Sequence, residues 1–520
     1  MTQITQLLRR AVQTAPRRVA TDHIGRTRLW SEFGERVARL AGALAGLGLA
    51  PGDRLGVLAL NSDRYLEALF AAPWGGLVVV PVNTRLAPRE VEFWLGDSEC
   101  AGLLVDETFA EMAASLRPRL PRLKRLVFMG EGATPEGMLD YESLLSGAEP
   151  AADAGRGGDD LAALFYTGGT TGRSKGVMLS HRNIVANALN TAPALAGDAE
   201  TIYLHAAPMF HAADNAVNFV VTAVGGKHLF MPRFDASVFL QRVAREKATA
   251  TLIVPTMINM VVHHPDVETT DTSSLKRMLY GASPMPEALI RRAFVALPHT
   301  GFVQAYGQSE AAPCMTFLHP DRHVWEGPKA GKLKSAGQAA LGCEIAILAL
   351  DGREAARGEV GEICGRGDNV MLGYWRQPEL TEKALRDGWL HTGDGGYMDE
   401  DGFVYVVDRM KDMIVSGGEN VYSAEVEQAL YQHIAVAECA VVGVPDPKWG
   451  EAVHAIVRLK PGAAATPETL IAHCHALIAG YKCPRSVTLR AEPLPVSGAG
   501  KILKTELRKP FWEGRERAVN

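Results

Sequence analysis

The sequence has few of the features that mark specialised protein classes. Its 520 residues include seven cysteines, none in Cys-x-x-Cys spacing, so neither a zinc site nor a disulfide framework is indicated. Low-complexity tracts and internal repeats are absent, and aromatic residues make up 7%. The 54 basic and 59 acidic side chains give no basic field of the kind that nucleic acid requires. We expect a cytoplasmic protein with reduced thiols and no nucleic-acid partner.

Long hydrophobic runs are also missing. The most apolar stretch, residues 68–82, is interrupted by Pro73 and a Gly-Gly pair, and it is too short to span a bilayer. Near the N-terminus, Arg9 and Arg10 directly follow two leucines, which favours an amphipathic first helix over a signal peptide. We therefore expect no transmembrane segment.

What the sequence does contain is an alternation of helical patterns and apolar strand patterns. A helix at 30–47 is followed by a turn, an apolar strand at 54–60, a helix and a strand at 77–82. This order predicts parallel strands joined by helical crossovers. After Gly342 the pattern becomes β-rich, as at residues 343–348, which indicates a smaller sheet or barrel. The fold class is therefore α/β.

The domain organisation follows from the same patterns. We predict a large N-terminal domain at residues 1–408, built of mixed sheets with flanking helices and a small β-barrel-like part. Helices and strands alternate again beyond Met413, over about 100 residues, the size of a compact α+β domain. We place this C-terminal domain at residues 412–520, after a hinge at 409–411.

A phosphate-binding loop is indicated at residues 166–176, which read YTGGTTGRSKG directly after an apolar run. Backbone N–H groups and hydroxyls in such a turn can surround phosphate oxygens, while Lys175 supplies positive charge. Gly176 follows the lysine where a P-loop would need Ser or Thr, so a kinase or P-loop ATPase is not supported. The GxGxxG fingerprint of hydride-transfer enzymes is also absent.

This loop resembles the YTSGTTGxPKG signature of the adenylate-forming superfamily of acyl-CoA synthetases, luciferases and peptide-synthetase adenylation domains. The sequence departs from it at Gly168, usually serine, and at Ser174, usually proline. Seven segments in family order extend the resemblance over nearly the whole chain. It implies an ATP-dependent carboxylic acid:CoA ligase that makes acyl-AMP and pyrophosphate, then acyl-CoA and AMP. ATP, Mg²⁺ and coenzyme A are the implied cofactors.

The resemblance also assigns the nucleotide site. Tyr306 would lie against adenine, Asp394 would accept hydrogen bonds from the ribose, and Arg409 would donate to ribose or phosphate. The residues expected to bind ATP or AMP are Thr167, Gly168, Gly169, Thr170, Thr171, Gly172, Gly281, Ala282, Ser283, Gln304, Ala305, Tyr306, Gly307, Gln308, Ser309, Asp394, Val406 and Arg409.

Four side chains are expected to act in catalysis, namely Lys501, Glu310, His211 and Lys175. Two anions meet when a carboxylate attacks the α-phosphate, so positive charge from Lys501 and from Mg²⁺ held by Glu310 and Thr170 would stabilise the transition state. By resemblance, His211 stands between the carboxylate and the acyl pocket. A lone histidine or lysine is more often structural, and we interpret the neighbouring Lys504 as an ordinary surface lysine.

The second step requires movement, because the CoA thiol cannot occupy the position used by Lys501 and pyrophosphate. By resemblance, the C-terminal domain is mobile and rotates about Lys411. The rotation would bring a Gly-Gly turn to the pantetheine tunnel, where a side chain would obstruct the passage. The residues expected to contact coenzyme A are Gly417, Gly418, Glu419, Arg85, Lys448, Trp449 and Lys482.

The acid pocket is expected to be lined by small or apolar residues, with Asp214 as a polar member to be tested. This lining favours medium- or long-chain fatty acids, and hence a place in fatty acid metabolism. Aryl acids such as hydroxycinnamate or benzoate, or a stand-alone enzyme that loads a carrier-protein thiol, are the alternatives. Luciferase-type oxygenation and homodimerisation stay open. The expected lining residues are Phe210, Ala212, Ala213, Asp214, Met260, Ala311 and Ala312.

A noncatalytic nucleotide-binding protein of the same fold is a further alternative. Such a protein would be expected to have lost Lys501, Glu310 or Lys175, and all three are present. The sequence therefore favours an active acid–thiol ligase.

Overall fold

The computed structural model describes residues 2–167, 174–283, 285–349, 351–410, 412–416, 419–496 and 502–513. Several helices begin at a side chain that accepts a backbone N–H of the first turn, as Ser62, Ser180 and Asp235 do. The α-helices are α1 (Ile4–Thr14), α2 (Trp30–Gly46), α3 (Asp63–Trp74), α4 (Pro88–Asp97), α5 (Ala110–Leu116), α6 (Tyr141–Ser146), α7 (His181–Leu195), α8 (Ala212–Val224), α9 (Ala236–Glu246), α10 (Pro255–Val262), α11 (Glu287–Ala296), α12 (Pro378–Ala384), α13 (Ser423–Tyr431), α14 (Pro467–His475) and α15 (Lys504–Arg508).

The strands are β1 (Val19–His23), β2 (Arg26–Leu29), β3 (Arg54–Leu58), β4 (Val78–Pro81), β5 (Cys100–Val105), β6 (Arg125–Phe128), β7 (Leu139–Asp140), β8 (Leu161–Thr167), β9 (Lys175–Ser180), β10 (Ile202–His205), β11 (Lys227–Phe230), β12 (Ala250–Leu252), β13 (Arg277–Gly281), β14 (Gly301–Gly307), β15 (Cys314–Leu318), β16 (Gln338–Ala339), β17 (Cys343–Leu348), β18 (Gly361–Gly367), β19 (Gly373–Tyr374), β20 (Leu385–Arg386), β21 (Trp389–Met398), β22 (Val404–Arg409), β23 (Ile414–Ser416), β24 (Glu419–Val421), β25 (Val436–Asp446), β26 (Gly450–Leu459) and β27 (Ser486–Arg490).

The described residues divide into two compact units. The first contains residues 2–167, 174–345 and 365–390, and the second contains residues 346–364 and the chain from His391 onward. This division does not test the functional boundary predicted at residues 409–411, which stays a prediction.

The first unit is built on two large sheets. One has the order β16-β15-β14-β13-β12-β10-β11-β1-β2, and the other β19-β9-β8-β4-β3-β5-β6-β7. The pairs from β10 to β14 are parallel, as are those that join β8, β4, β3 and β5, so the prediction of parallel strands with helical crossovers is confirmed. Strand β3 is buried at every position, as expected of a sheet covered on both faces.

The second unit has its own sheet, of order β24-β23-β26-β25, with β27 pairing β26 in parallel. Its core includes Ile414, Val426, Val441 and Val453. A further sheet of the chain has the order β17-β18-β21-β20, and β22 pairs β21.

The α/β class predicted from the sequence is confirmed by these sheets and helices. Within the described part of the chain, none of the helices combines the length and apolarity that a bilayer crossing needs.

Candidate active site

Two of the predicted nucleotide-binding turns lie side by side at one edge of the nine-stranded sheet. Strands β13 and β14 run parallel, with Tyr280 paired to Gln304 and Gly281 paired to Ala305. Their carboxyl ends therefore open onto the same edge, where open α/β sheets bind ligands. Residues 304–310 are all half-buried, so this edge is partly accessible within the first unit.

Glycine is required by close packing in both turns. A Cβ atom at Gly281 would overlap the carbonyl oxygen of Ala305, and one at Gly307 would overlap that of Pro313. Gly307 also has φ +157, and Ala282 adopts a left-handed φ of 64°. The two turns therefore bring backbone closer to backbone than most residues would allow.

A buried tyrosine–histidine pair lies at the end of β13, the strand that leads into the first turn. Tyr280 Oη lies 2.9 Å from His323 Nε2, and His323 Nδ1 lies 3.0 Å from the carbonyl oxygen of His319. Burial lowers the pKa of His323 to about 4. The ring is therefore neutral at physiological pH, so one nitrogen can donate to His319 while the other accepts from Tyr280.

Lys175 and Glu310, two predicted catalytic residues, meet at a tyrosine that sequence reasoning did not identify. Tyr374 donates a hydrogen bond of 2.8 Å to Glu310 Oε1, and Lys175 Nζ lies 4.9 Å from the centre of the same ring. The backbone N–H of Met371 also donates to the Glu310 carbonyl, at 2.9 Å. A lysine, a carboxylate and a phenol are thus gathered beside the glycine turns.

Both flanks of the phosphate loop are firmly placed. Thr167 at the end of β8 pairs with Lys175 at the start of β9 in an antiparallel ladder. Just before the loop, Tyr166 donates a 2.5 Å hydrogen bond to Asp97 and stacks on Trp94. These contacts fix the two strands from which the loop emerges.

In the second unit, Asp394 and Arg409, both assigned to the nucleotide site from the sequence, form an ion pair. They are cross-strand partners in the hairpin of β21 and β22, and Arg409 Nε lies 2.8 Å from Asp394 Oδ1. Asp394 is buried, and its N–H donates to Thr392 Oγ1 at 3.0 Å. Val406, assigned to the same site, lies on β22 and is 41% exposed.

His211 stands at the N-cap of α8, and two buried asparagines hold the segment before it. Met209 N–H donates to Asn61 Oδ1 at 2.8 Å, and Asn215 Nδ2 donates to the Met209 carbonyl at 2.9 Å. The rings of Phe210 and His211 lie 5.4 Å apart. This segment is therefore rigidly attached to the first unit.

Asp214 is placed differently from what an acid-binding role requires. Its carboxylate accepts from Tyr203 Oη at 2.9 Å and lies 2.8 Å from His205 Nδ1, while His205 Nε2 lies 2.9 Å from His228 Nδ1. All four side chains are fully buried. The carboxylate is thus committed to a network inside the first unit. We correct the expectation that it lines the acyl pocket as a polar recognition group.

The other predicted lining residues differ in exposure. Ala311 and Ala312 are buried, Ala212 and Ala213 are half-buried, and Met260 is 52% exposed. The small size of the four alanines is the feature that bears on which acid can bind.

The residues assigned to coenzyme A are on the surface of their units. Arg85 is exposed in the first unit. In the second, Glu419 and Lys448 are exposed, and Lys448 Nζ lies 4.6 Å from the ring centre of Trp449. Lys482 contacts both oxygens of Glu425 at 2.8 Å. These assignments stay predictions.

Several predicted site residues lie outside the described residues. They are Gly168, Gly169, Thr170, Thr171, Gly172, Lys411, Gly417, Gly418 and Lys501.

Sequence reasoning missed the contacts of three residues. Tyr374 gives no signal except its place in a Gly-Tyr-Trp segment, and His323 gives none. Lys504, interpreted above as a surface lysine, exposes only 15% of its side chain and pairs with Glu427, so that interpretation is wrong. Its position on the buried side of α15 is set by contacts with α13, which is far away in sequence.

Comparison with known proteins shows the family of this chain. The family model described as AMP-binding enzyme matches residues 8–375, and that of the AMP-binding enzyme C-terminal domain matches residues 425–501. The feruloyl-CoA synthase of Amycolatopsis sp is 40% identical over 504 residues, covering 96% of this chain and 98% of that protein.

Two further matches are a fatty-acid ligase and a solved structure. A medium/long-chain-fatty-acid–CoA ligase of Mycobacterium tuberculosis is 34% identical over 513 residues, covering 95% of this chain and 88% of that protein. The structure of ATP-bound MatB from Rhodopseudomonas palustris matches with a TM-score of 0.87 at 29% identity, covering 98% of this chain and 99% of that one.

Proposed function

Because the chain belongs to the AMP-binding enzyme family of the adenylate-forming superfamily and is an AMP-forming acid–thiol ligase, we propose that it activates medium- or long-chain fatty acids. Its substrates are ATP, coenzyme A and a carboxylic acid. One observation carries the choice of acid. The carboxylate of Asp214 is bound internally, so it does not face the amino group of an amino-acid substrate, and the remaining lining residues are apolar.

In the first step, a carboxylate oxygen forms a bond to the α-phosphorus of ATP as the bond to pyrophosphate breaks. Lys501 is proposed to neutralise charge at the α-phosphate, and Lys175 to hold the triphosphate. Removing one such group commonly costs about a hundredfold or more in rate. Asp394 is proposed to accept hydrogen bonds from the ribose hydroxyls, and Arg409, which lies beside it, to donate to the ribose or a phosphate.

In the second step, the sulfur of coenzyme A forms a bond to the acyl carbon as the bond to AMP breaks, and the thiol proton is lost. A thioester replaces the mixed anhydride. Rotation of the C-terminal domain about Lys411 is proposed to separate the two steps, because the thiol and the pyrophosphate need the same approach to the acyl group.

Glu310 fits the role of a Mg²⁺ ligand. A carboxylate has about four lone-pair sites, so the hydrogen bond from Tyr374 still leaves capacity for a cation. When bound, Mg²⁺ would neutralise charge on the phosphates. Thr170 is proposed as the second protein ligand.

A second candidate substrate is an aryl acid. The observation in its favour is the 40% identity to a feruloyl-CoA synthase over nearly the full length of both proteins. Small side chains such as Ala212 and Ala213 leave room for an aromatic ring as well as for an alkyl chain.

An acid panel tests the proposal. Acyl-AMP would be trapped with and without coenzyme A, using saturated fatty acids, hydroxycinnamates, benzoate and acetate. We expect the highest kcat/KM with medium- or long-chain fatty acids, and thioester formation on coenzyme A. A preference for ferulate would replace the fatty-acid proposal with the aryl one. Acid-dependent pyrophosphate exchange with no CoA thioester would indicate loading of a carrier-protein thiol.

We also propose that the protein acts in the cytoplasm. All seven cysteines are thiols rather than disulfides, as expected in a reducing compartment.

A further inference from the structure

A half-buried lysine, Lys504, lies in the tail of the second unit, three positions after Lys501. Lys504 begins α15, and its Nζ lies 2.8 Å from Glu427 Oε1 and donates to Ser423 Oγ at 2.5 Å. The side chains of Lys504 and Glu427 expose only 15% and 16% of their surface. A buried charge is costly unless it is paired and hydrogen-bonded, and here both conditions are met.

The network continues from Ser423 to Asp408. Ser423 Oγ donates its single proton to Asp408 Oδ2 at 2.5 Å, so the same oxygen can accept from Lys504. The other oxygen of Asp408 accepts the backbone N–H of Arg409 at 2.8 Å. Three side chains, those of Asp408, Ser423 and Lys504, thus join the position directly before Arg409 to the position three after Lys501.

Glu427 is held as firmly as its partner. Its Oε1 accepts the backbone N–H of Val441, on β25, at 2.7 Å. Burial opposes the charge on Lys504, but the carboxylates of Glu427 and Asp408 together raise its pKa. The ammonium group therefore stays protonated at neutral pH and keeps its donors for Ser423 and Glu427.

The backbone on both sides of residues 497–501 is also anchored. Val496 and Ile502 form an antiparallel bridge, and the N–H of Leu503 donates to the carbonyl of Pro495 at 2.8 Å. Lys504 is the first side chain after this bridge that reaches into the interior of the unit through charged contacts. Its contacts therefore add an anchor for the backbone just after the bridge.

From these contacts we infer that Lys504 is a positioning residue for adenylation, which acts by fixing the backbone that carries Lys501. The inference rests on the proposed role of Lys501. A displacement of about 1 Å at a reacting group can cost on the order of a hundredfold in rate. Loosening this anchor should therefore slow the step that uses Lys501 and spare the thiol step.

The Lys504–Glu427 ion pair can affect both folding stability and the position of the backbone. Replacing a buried ion pair with uncharged groups is often neutral for stability, whereas removing one partner leaves an uncompensated charge. A comparison of single and double variants therefore distinguishes the effect of the Lys504–Glu427 pair on folding stability from its effect on the position of the backbone.

The test uses the full-length enzyme and compares Lys504→Met, the double variant Lys504→Met/Glu427→Gln, and Lys509→Met. Lys509 is exposed in the same tail and serves as the matched control. Adenylation is measured by acid-dependent pyrophosphate exchange, and thioester formation is measured from supplied acyl-AMP. Tm is recorded for each variant.

Lys504→Met is expected to lower Tm and to slow adenylation on the order of a hundredfold, while thioester formation from acyl-AMP stays within about twofold. In the double variant Tm should recover while adenylation stays slow, because the charge is gone but the anchor is still missing. Lys509→Met should match the wild type in all three measurements.

Recovery of adenylation together with Tm in the double variant would overturn the inference, as would parallel loss of both half-reactions in Lys504→Met. Lys501→Ala separates this inference from the proposed function. Slow adenylation in Lys501→Ala with normal adenylation in Lys504→Met would reject only the positioning role. Normal adenylation in Lys501→Ala would reject both.

Discussion

The buried network around Asp214 leads to a specific stability prediction for Asp214→Ala. The aspartate accepts from Tyr203 and His205, and all three side chains are 0% exposed. Truncation would leave two buried donors without their carboxylate acceptor. Each unpaired buried donor costs about 1–3 kcal/mol, so we expect a loss of roughly 2–6 kcal/mol in the free energy of unfolding.

Urea unfolding followed by circular dichroism measures this loss as a lower midpoint for the first unit. Asp214→Asn keeps one acceptor oxygen, so its loss should be smaller than that of the alanine variant. Asp159→Ala is the matched control, because Asp159 pairs with Arg182 at the surface with 66% of its side chain exposed. We expect no measurable change in the control.

The same variant also tests how the acid is recognised. If Asp214 has only this internal role, the order of preference across the acid panel should be the same in Asp214→Asn as in the wild type. An unchanged unfolding midpoint in Asp214→Ala would refute the reasoning. So would amino-acid adenylation by the wild type that disappears in Asp214→Asn.

Three further predictions concern the site. The pKa of His323 is about 4 when folded, against 6.5 for an ordinary histidine, so the unfolded chain takes up the extra proton. Stability should therefore fall as pH drops from 6.5 to 4 in urea titrations, and the fall should be smaller in His323→Gln. Lys411→Pro should slow thioester formation while adenylation persists, because proline restricts φ at the proposed pivot; an unchanged thiol step would reject Lys411 as the pivot. Glu310→Gln should slow adenylation by about a hundredfold and raise the Mg²⁺ concentration needed for half-maximal rate; an unaltered Mg²⁺ dependence would remove it from the metal site.

The local elements could be read from the sequence. The strand predicted at residues 343–348 has those bounds, and the helix predicted at 30–47 ends one residue earlier. Periodicity places an element well, but its end depends on caps and turns that are weaker signals.

The positions of two nucleotide-binding turns were predicted from the sequence, but not the pairing of the strands that carry them. Strands β13 and β14 are parallel neighbours, and parallel strands end at a common edge, so the two turns lie side by side. The pairing of Asp394 with Arg409 follows from the hairpin between them.

The sequence by itself determined the α/β class, the family and the order of the nucleotide-binding turns, because these depend on local periodicity and on motifs of adjacent residues. Only the tertiary structure decided that Tyr374 joins Lys175 to Glu310, that the carboxylate of Asp214 is bound internally, and that Lys504 exposes only 15% of its side chain. Each of these depends on a contact between segments far apart in the chain. Two lysines or two aspartates with similar neighbours in sequence can differ completely in burial, since burial is decided by what packs against them.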